Sequence, residues 1–321
     1  METFAPIFSQ MIFLFAFIVI GFVLVKCKLI PEETSRVLSK LETWLFIPAL
    51  MLGTFMRNCT VERIGSMWKL LVMGFIVVGI FIVLSYFAGK LCFKEAYLQK
   101  ITTYGLAFSN FGYMGNAIVE AVFPAIYVDY LVFTLPFWIL INAWGIPVLL
   151  ISNANGTKTT LKESLKNLVN PMLIAAVIGI VLGLTGWGKA LPAPITNVIT
   201  VSGNCMSPIA MLLTGAMLGK LDILALLKKW RIYLVAAFKL LAYPLLFIVV
   251  FMLLPMGEFV TETFLKCALC VAAMPVGLNA IVIPAGYGKD ASDAAAMALV
   301  SHILSIATIP LMFMLLQNLI L

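Results

Sequence analysis

Long apolar runs alternate with short clusters of charged and turn-forming residues along the whole chain. The clusters divide it into ten apolar segments, each at least 18 residues long. A helix rises about 1.5 Å per residue, so such segments can cross the ~30 Å hydrocarbon core of a bilayer. The pattern predicts an all-α integral membrane protein with ten transmembrane spans. In chain order, spans 1 to 10 are residues 6–26, 38–56, 68–92, 98–122, 126–152, 170–187, 192–219, 230–254, 258–287 and 292–319.

Short motifs recur in the second half of the chain at a nearly constant offset. Asn116-Ala-Ile-Val in span 4 returns as Asn279-Ala-Ile-Val in span 9, 163 residues later. Three further pairs have offsets of 160 to 163 residues: Pro48 and Pro208, Trp68 and Trp230, and Pro147 and Pro310. A constant offset indicates an internal duplication. Because each copy holds five spans, an odd number, the second copy starts on the opposite side of the membrane and the repeats are inverted.

The duplication predicts a first five-helix repeat at 1–152, a cytoplasmic linker at 153–169 and a second five-helix repeat at 170–321. Inverted repeats are typical of secondary transporters, because two mirrored halves provide inward-open and outward-open states of similar energy. In the linker, lysines at helical spacing lie opposite leucines, which indicates a helix on the inner membrane surface in contact with lipid. These lysines are Lys158, Lys162 and Lys166.

The middle of span 4 and the middle of span 9 each carry residues that interrupt a helix. The run SNFGYMGN at 109–116 combines two glycines with two asparagines, whose amides can bond freed backbone groups. The run AMPVGLN at 273–279 contains a proline, which removes a backbone donor. The predicted break residues are Gly112, Gly115, Pro275 and Gly277. Each segment alone is also compatible with a simple kink, but the symmetry favours two broken helices that cross and whose N-termini provide a place for an anion.

Charge adds an orientation to this picture. The chain has a formal net charge of +7, and its lysines and arginines alternate in density between successive loops. With the N-terminus outside, fifteen of them fall in inner loops and five in outer loops. Basic loops stay cytoplasmic, so the count predicts that both termini are extracytoplasmic. The charges are scattered over separate loops without interleaved aromatic residues, which argues against nucleic-acid binding.

Among the ionisable residues inside predicted spans, Glu120, His302 and Lys239 are the candidates for coupling transport to an ion. Glu120 lies one helical turn beyond Asn116 and could bind a proton or cation, or be a solvated structural group. His302 could titrate near neutral pH, or be a neutral imidazole bonded within the helix bundle. Lys239 could snorkel to the membrane surface, or meet an acidic group or a substrate carboxylate.

The sequence contains no pattern typical of an enzyme or a metal site. Cys267 and Cys270 form a C-x-x-C pair, but the chain has no second pair and only one histidine. We therefore predict that these cysteines pack as small apolar residues and that the protein needs no metal or cofactor. No nucleophile is placed with a base. A channel, a membrane-embedded enzyme and a sensor remain the alternatives to a transporter.

Three motifs carry a resemblance to a known family. They are FSNFGYMG at 108–115, AMPVGLN at 273–279 and YGKD at 287–290. With the ten-span plan, they resemble the auxin efflux carrier, or PIN-like, transporters, in particular prokaryotic-type members. One departure is Ala117, where many relatives have a proline. The long cytoplasmic loop of the larger plant members is also missing.

The resemblance implies a scaffold from spans 1, 2, 6 and 7, a transport unit from spans 3–5 and 8–10, a homodimer and an elevator-type movement. It also implies that Asn110, Asn116, Pro275 and Asn279 flank the substrate. We add Ser109 and Met274, because they lie in the same two motifs. The predicted substrate-binding residues are Ser109, Asn110, Asn116, Met274 and Asn279, with Pro275 beside them. The expected function is transport of a small organic carboxylate anion across the cell membrane, either a malate-like dicarboxylate or an auxin-like monocarboxylate. The sequence leaves the substrate and the coupling ion open.

Overall fold

The computed structural model describes residues 4–31, 33–151, 169–220, 222, 228–286 and 289–319, and within these ranges all regular structure is helical. Seven helical stretches are long and apolar enough to cross a membrane. They confirm an all-helical, multi-pass architecture. The seven are Phe4–Lys26, Thr34–Asn58, Met67–Cys92, Pro124–Ile151, Ala193–Leu218, Trp230–Met252 and Ser292–Leu319.

The other three predicted spans are shorter or interrupted. Span 6 corresponds to the apolar helix Pro171–Thr185, which has 15 residues. Its first turn is capped by the Asn170 side chain, which accepts a hydrogen bond from the Leu173 amide at 3.0 Å. Spans 4 and 9 are each broken in the middle. The predicted linker lies outside the described residues except for Val169, and with it the predicted surface helix.

The helices of the first half begin and end close to the predicted span limits. The α-helices are α1 (Phe4–Lys26), α2 (Thr34–Leu41), α3 (Ile47–Asn58), α4 (Val61–Cys92), α5 (Ala96–Ala107), α6 (Asn116–Val122) and α7 (Tyr127–Leu140). Segments of π-helix continue α2, precede α6 and follow α7, and a 3₁₀ turn precedes α7. These segments are Glu42–Phe46, Phe111–Gly115, Ile141–Ile151 and Pro124–Ile126.

The second half also contains long helices and one helix that is interrupted in the middle. Its α-helices are α8 (Pro171–Thr185), α9 (Ala193–Leu218), α10 (Trp230–Ala237), α11 (Tyr243–Met252), α12 (Glu262–Ala273), α13 (Asn279–Gly286) and α14 (Ser292–Leu319). The π-helix Phe238–Ala242 joins α10 to α11, and the 3₁₀ turn Trp187–Ala190 follows α8. A π-turn holds one extra residue and often occurs at functional sites.

The chain folds into two compact units. Unit 2 consists of Leu14–Lys69 and Leu165–Lys220, and its α3 packs against α8 and α9. Its helices approach closely at glycines: a Cβ added to Gly215 of α9 would lie 1.9 Å from the Ile18 carbonyl oxygen of α1. Small residues allow this backbone-to-backbone packing, which is the main source of helix association in a membrane.

Unit 1 consists of Met1–Phe13, Leu70–Ser164 and Leu221–Leu321. It contains most of α4, together with α5 to α7 and α10 to α14, and both broken helices. Its core is a cluster of buried aromatic rings, in which Phe111 lies 5.3 Å from Phe137 and Phe133 lies 5.9 Å from Phe264, measured between ring centroids. This cluster holds the second half of the first broken helix and the first half of the second, α12, against α7.

Candidate functional site: two interrupted helices in unit 1

The first interruption lies at 108–110. Helix α5 ends at Ala107, and the Phe108 amide makes the last helical bond, to the Tyr104 carbonyl at 2.8 Å. The chain then turns at Asn110, whose carbonyl accepts bonds from the amides of Met114 and Gly115, both at 3.1 Å. A new helical segment therefore starts at Phe111.

The position of this break corrects two of the sequence predictions. Gly112 and Gly115 lie inside the π-helix after the break, not at the break itself. Their role is close packing: an added Cβ would lie 2.4 Å from the Trp138 ring at Gly112 and 2.2 Å from the Tyr130 hydroxyl at Gly115. Contacts from other helices, and not glycine flexibility, therefore determine where the chain leaves the helix.

The second interruption lies at 274–278, between α12 and α13, and contains both Pro275 and Gly277. Proline has no amide hydrogen, so the carbonyl four residues earlier, at Val271, has no helical donor. Two side chains reach that oxygen instead: the Ser109 hydroxyl donates to it at 2.8 Å and the Lys239 ammonium at 3.4 Å. The broken backbone is thus satisfied from other helices.

The two interruptions are bonded to each other. The backbone amide of Asn110 donates to the Pro275 carbonyl at 2.8 Å. Ser109 and Val276 form an antiparallel bridge. A Cβ on Gly277 would lie 2.3 Å from the Phe108 carbonyl oxygen, so this approach requires glycine. Two extended segments therefore cross as a minimal two-strand contact inside a helical protein.

A small cavity lies at this crossing. Its volume is about 10 Å³, which is the space of about one water molecule. Its walls come from α5, from both interruptions and from the helix that includes α7. The lining residues are Tyr104, Phe108, Ser109, Asn110, Phe111, Gly112, Tyr113, Trp138, Ile141, Gly277, Leu278 and Asn279.

The cavity wall is neutral but rich in hydrogen-bonding groups. The Asn110 side-chain oxygen and the Trp138 indole nitrogen are buried and have no hydrogen-bond partner. Asn279 stands beside the Tyr104 hydroxyl. The N-terminal turns of the segments that start at Phe111 and Asn279 border the same space, and N-terminal amides carry partial positive charge. Unpaired buried polar atoms are destabilising, so this wall is suited to a ligand that has hydrogen-bonding groups of its own.

His302 of α14 fixes the Asn110 side chain. Its Nδ1 donates to the Ala298 carbonyl at 2.7 Å. Its Nε2 accepts a hydrogen bond from the side-chain amide of Asn110 at 2.9 Å. Both ring nitrogens are therefore occupied in a neutral imidazole bonded within the bundle. Asn110 consequently presents its oxygen, not its amide nitrogen, as the unpaired atom.

The remaining predicted residues lie away from the cavity wall. Asn116 and Met274 are buried, but neither lines the cavity. The Asn116 side-chain amide donates to the Gly112 carbonyl, four residues earlier, at 2.6 Å. The duplicated motif predicts that Asn116 and Asn279 share one site, but only Asn279 lines this cavity. Glu120, near the end of α6, is exposed.

Lys239 does not snorkel, because its side chain is fully buried in unit 1. Cys267 and Cys270 are free, buried thiols. Within the described residues there is no group of three or more potential metal ligands.

The sequence interpretation missed the aromatic wall of the cavity. Tyr104, Phe108 and Trp138 belong to it, and Trp138 supplies the indole donor. A signal for Trp138 was present, because membrane tryptophans concentrate at the two interfaces and this one lies in the middle of span 5. The other two could not be distinguished from ordinary core residues.

A polytopic helical protein with two broken helices that meet at a buried polar cavity has the architecture of a membrane transporter. A model of the Membrane transport protein family matches residues 6–313. The chain therefore belongs to this family, which is the auxin efflux carrier or PIN-like family, and the resemblance noted from the motifs is confirmed. The family consists of transporters and not of enzymes. A comparison with individually curated proteins gives no match.

Proposed function

We propose that this protein is a secondary transporter of small organic carboxylate anions across the cell membrane. The observation that carries the proposal is the crossing itself, where two interrupted helices leave unpaired polar atoms and helix N-termini around one buried cavity. In this proposal Ser109, Asn110, Trp138 and Asn279 contact the substrate. Asn116 and Met274 support the surrounding wall.

The proposed movement is of the elevator type. The ten spans form two inverted repeats, unit 1 is the transport unit and unit 2 is the scaffold, through which two copies of the chain form a homodimer. The division of the chain supports this assignment, because unit 2 takes Leu14–Lys69 from the first repeat and residues 170–220 from the second, and unit 1 takes the later part of each repeat. Residues 1–13, at the start of the first repeat, depart from this order and lie in unit 1. Alternating exposure of one site suits a transporter better than an open pore.

The cavity limits how the substrate is bound. A space of about 10 Å³ is smaller than any carboxylate substrate, so the aromatic wall must move when the substrate enters. A malate-like dicarboxylate would accept hydrogen bonds from the Asn279 amide and the Trp138 indole, and its hydroxyl would donate to the unpaired Asn110 oxygen. An auxin-like monocarboxylate would add stacking on Trp138 or Phe108.

Transport assays in proteoliposomes test the proposal. Labelled malate, malonate and indole acetate are offered with pH, sodium and membrane potential varied separately. The proposal expects saturable uptake of at least one of them and acceleration of that uptake by unlabelled substrate on the opposite side. Linear uptake without this counterflow would indicate a channel, and chemical conversion of the substrate would indicate an enzyme.

A further inference from the structure

Lys239 is a lysine enclosed in the core of unit 1. It lies in the π-helix Phe238–Ala242, and its side chain has no exposed surface. The extra residue of a π-turn changes which side chains of a helix face its neighbours. Here Lys239 faces inward, toward the C-terminal end of α12, where the second interruption begins.

The surroundings of Lys239 suit a charged ammonium without neutralising it. The rings of Phe81 and Tyr243 each lie 5.4 Å from its nitrogen, in cation–π range. Its hydrogen-bond acceptor is the Val271 carbonyl at 3.4 Å. No carboxylate forms an ion pair with Lys239 in the part of the chain that the structure describes.

The Val271 carbonyl connects Lys239 to the cavity. The same oxygen accepts a hydrogen bond of 2.8 Å from the hydroxyl of Ser109, which lines the cavity. The ammonium therefore stands directly behind the cavity wall, in contact with the carbonyl that Pro275 leaves without a helical donor. The wall itself has no charged side chain.

We propose that Lys239 is the fixed counter-charge for the carboxylate of the transported anion, and that it selects anions over neutral analogues. This rests on the proposed function of the same cavity. A buried charge without an opposite charge is destabilising, and a carboxylate in the cavity supplies that opposite charge across the wall. The neutral amide of the same acid fits the same space but does not supply it.

The test compares two substitutions of Lys239 that remove the charge with one that keeps it. Lys239→Gln retains a donor for the Val271 carbonyl, Lys239→Met retains length without polarity, and Lys239→Arg retains the charge. The control is Lys90→Gln, because Lys90 also lies over an aromatic ring, that of Tyr86, but is exposed. Uptake kinetics are measured in proteoliposomes. Binding of each acid and of its neutral amide to the purified protein is measured calorimetrically.

For Lys239→Gln and Lys239→Met we expect a rise of roughly 10- to 100-fold in the dissociation constant and KM of the acid, from a charge within several ångströms at intermediate dielectric. The affinity for the amide should change less than about threefold. Lys239→Arg and Lys90→Gln should stay near the native affinity. If Lys239→Gln restores what Lys239→Met loses, the role is only the hydrogen bond and the proposal is wrong.

Two further outcomes are decisive. Unchanged KM with slower turnover in both neutral variants would place Lys239 in the conformational step and overturn the proposal. If one neutral variant does not fold, the other serves, because replacing a buried charge by an apolar side chain is often neutral or stabilising. If the native protein transports none of the acids, the proposed function fails, while calorimetric binding of acid over amide still tests Lys239 by itself.

Discussion

Pro275 acts through an atom four residues earlier in the chain. Because it removes the donor for the Val271 carbonyl, it creates the acceptor that the Ser109 hydroxyl and the Lys239 ammonium share. The carbonyl of Pro275 itself accepts a hydrogen bond from the backbone amide of Asn110. One residue therefore organises contacts with two other helices, and its effect extends well beyond a bend in its own helix.

Pro275→Ala should abolish uptake while the protein remains folded. Alanine provides the missing amide hydrogen, so the helix can continue and compete for the Val271 carbonyl, and the crossing loses its geometry. Uptake in proteoliposomes and thermal stability of the purified variant are the measurements. Pro310→Ala, at a buried proline within α14, is the matched control and should retain uptake. A stable Pro275→Ala protein with normal uptake would mean that the site lies elsewhere.

The two asparagines of the duplicated motif should differ in their effects. Asn279 lines the cavity, so Asn279→Ala should weaken substrate binding by about 10- to 150-fold, the loss of one hydrogen bond to a charged group. Asn116→Ala should leave affinity nearly unchanged and lower stability by about 1 kcal/mol, because its amide serves the Gly112 carbonyl. Asn58→Ala, which removes a similar backbone bond in unit 2, controls for stability. Equal losses of affinity at 116 and 279 would contradict this distinction.

At the scale of elements, the hydropathy pattern predicts where helices lie but not how they are interrupted. The break at Pro275 is visible in the sequence because proline acts locally. The break at 108–110 has no proline, and contacts with a distant segment define it, so the sequence placed it among the glycines that follow. The π-turn that directs Lys239 inward also has no local signature. Tertiary contacts therefore account for most of what the sequence could not predict about the site.

Helix packing in unit 2 gives a prediction at the same scale. Gly215→Ala should destabilise the protein by about 1–3 kcal/mol, because the new methyl group overlaps the Ile18 carbonyl and separates α1 from α9. Gly79→Ala in α4 is the control, since a Cβ there meets no atom within 4 Å. That control should be neutral or slightly stabilising. Denaturation of the purified variants measures both, and equal stabilities would exclude close backbone packing at Gly215.

At the scale of the whole molecule, the chain alternates between its two units. It contributes Met1–Phe13 to unit 1, Leu14–Lys69 to unit 2, Leu70–Ser164 to unit 1, Leu165–Lys220 to unit 2 and Leu221–Leu321 to unit 1. Each unit therefore draws on both halves of the sequence. The proposed elevator movement rests on this division of the chain.

Cysteine labelling tests the predicted orientation. In a cysteine-free variant, Gly257→Cys in the loop between α11 and α12 should react with an impermeant reagent added to intact cells. Lys94→Cys, in the exposed turn before α5, should react only after the cells are opened. The reverse pattern would place both termini inside. Lys40→Cys, also predicted to be inside, provides a second internal control.

The crossing of the broken helices also affects the order in which the chain can fold during synthesis. Ser109 is translated long before Val271, its partner 162 residues later, which at ordinary synthesis rates is a delay of roughly 8 to 30 seconds. During that interval the first broken helix has no partner for its Asn110 amide or Ser109 hydroxyl. The first repeat expressed alone should therefore be degraded faster in cells than when residues 153–321 are co-expressed as a separate chain. Equal lifetimes with and without the second chain, measured by pulse-chase labelling, would show that the first repeat completes its own fold.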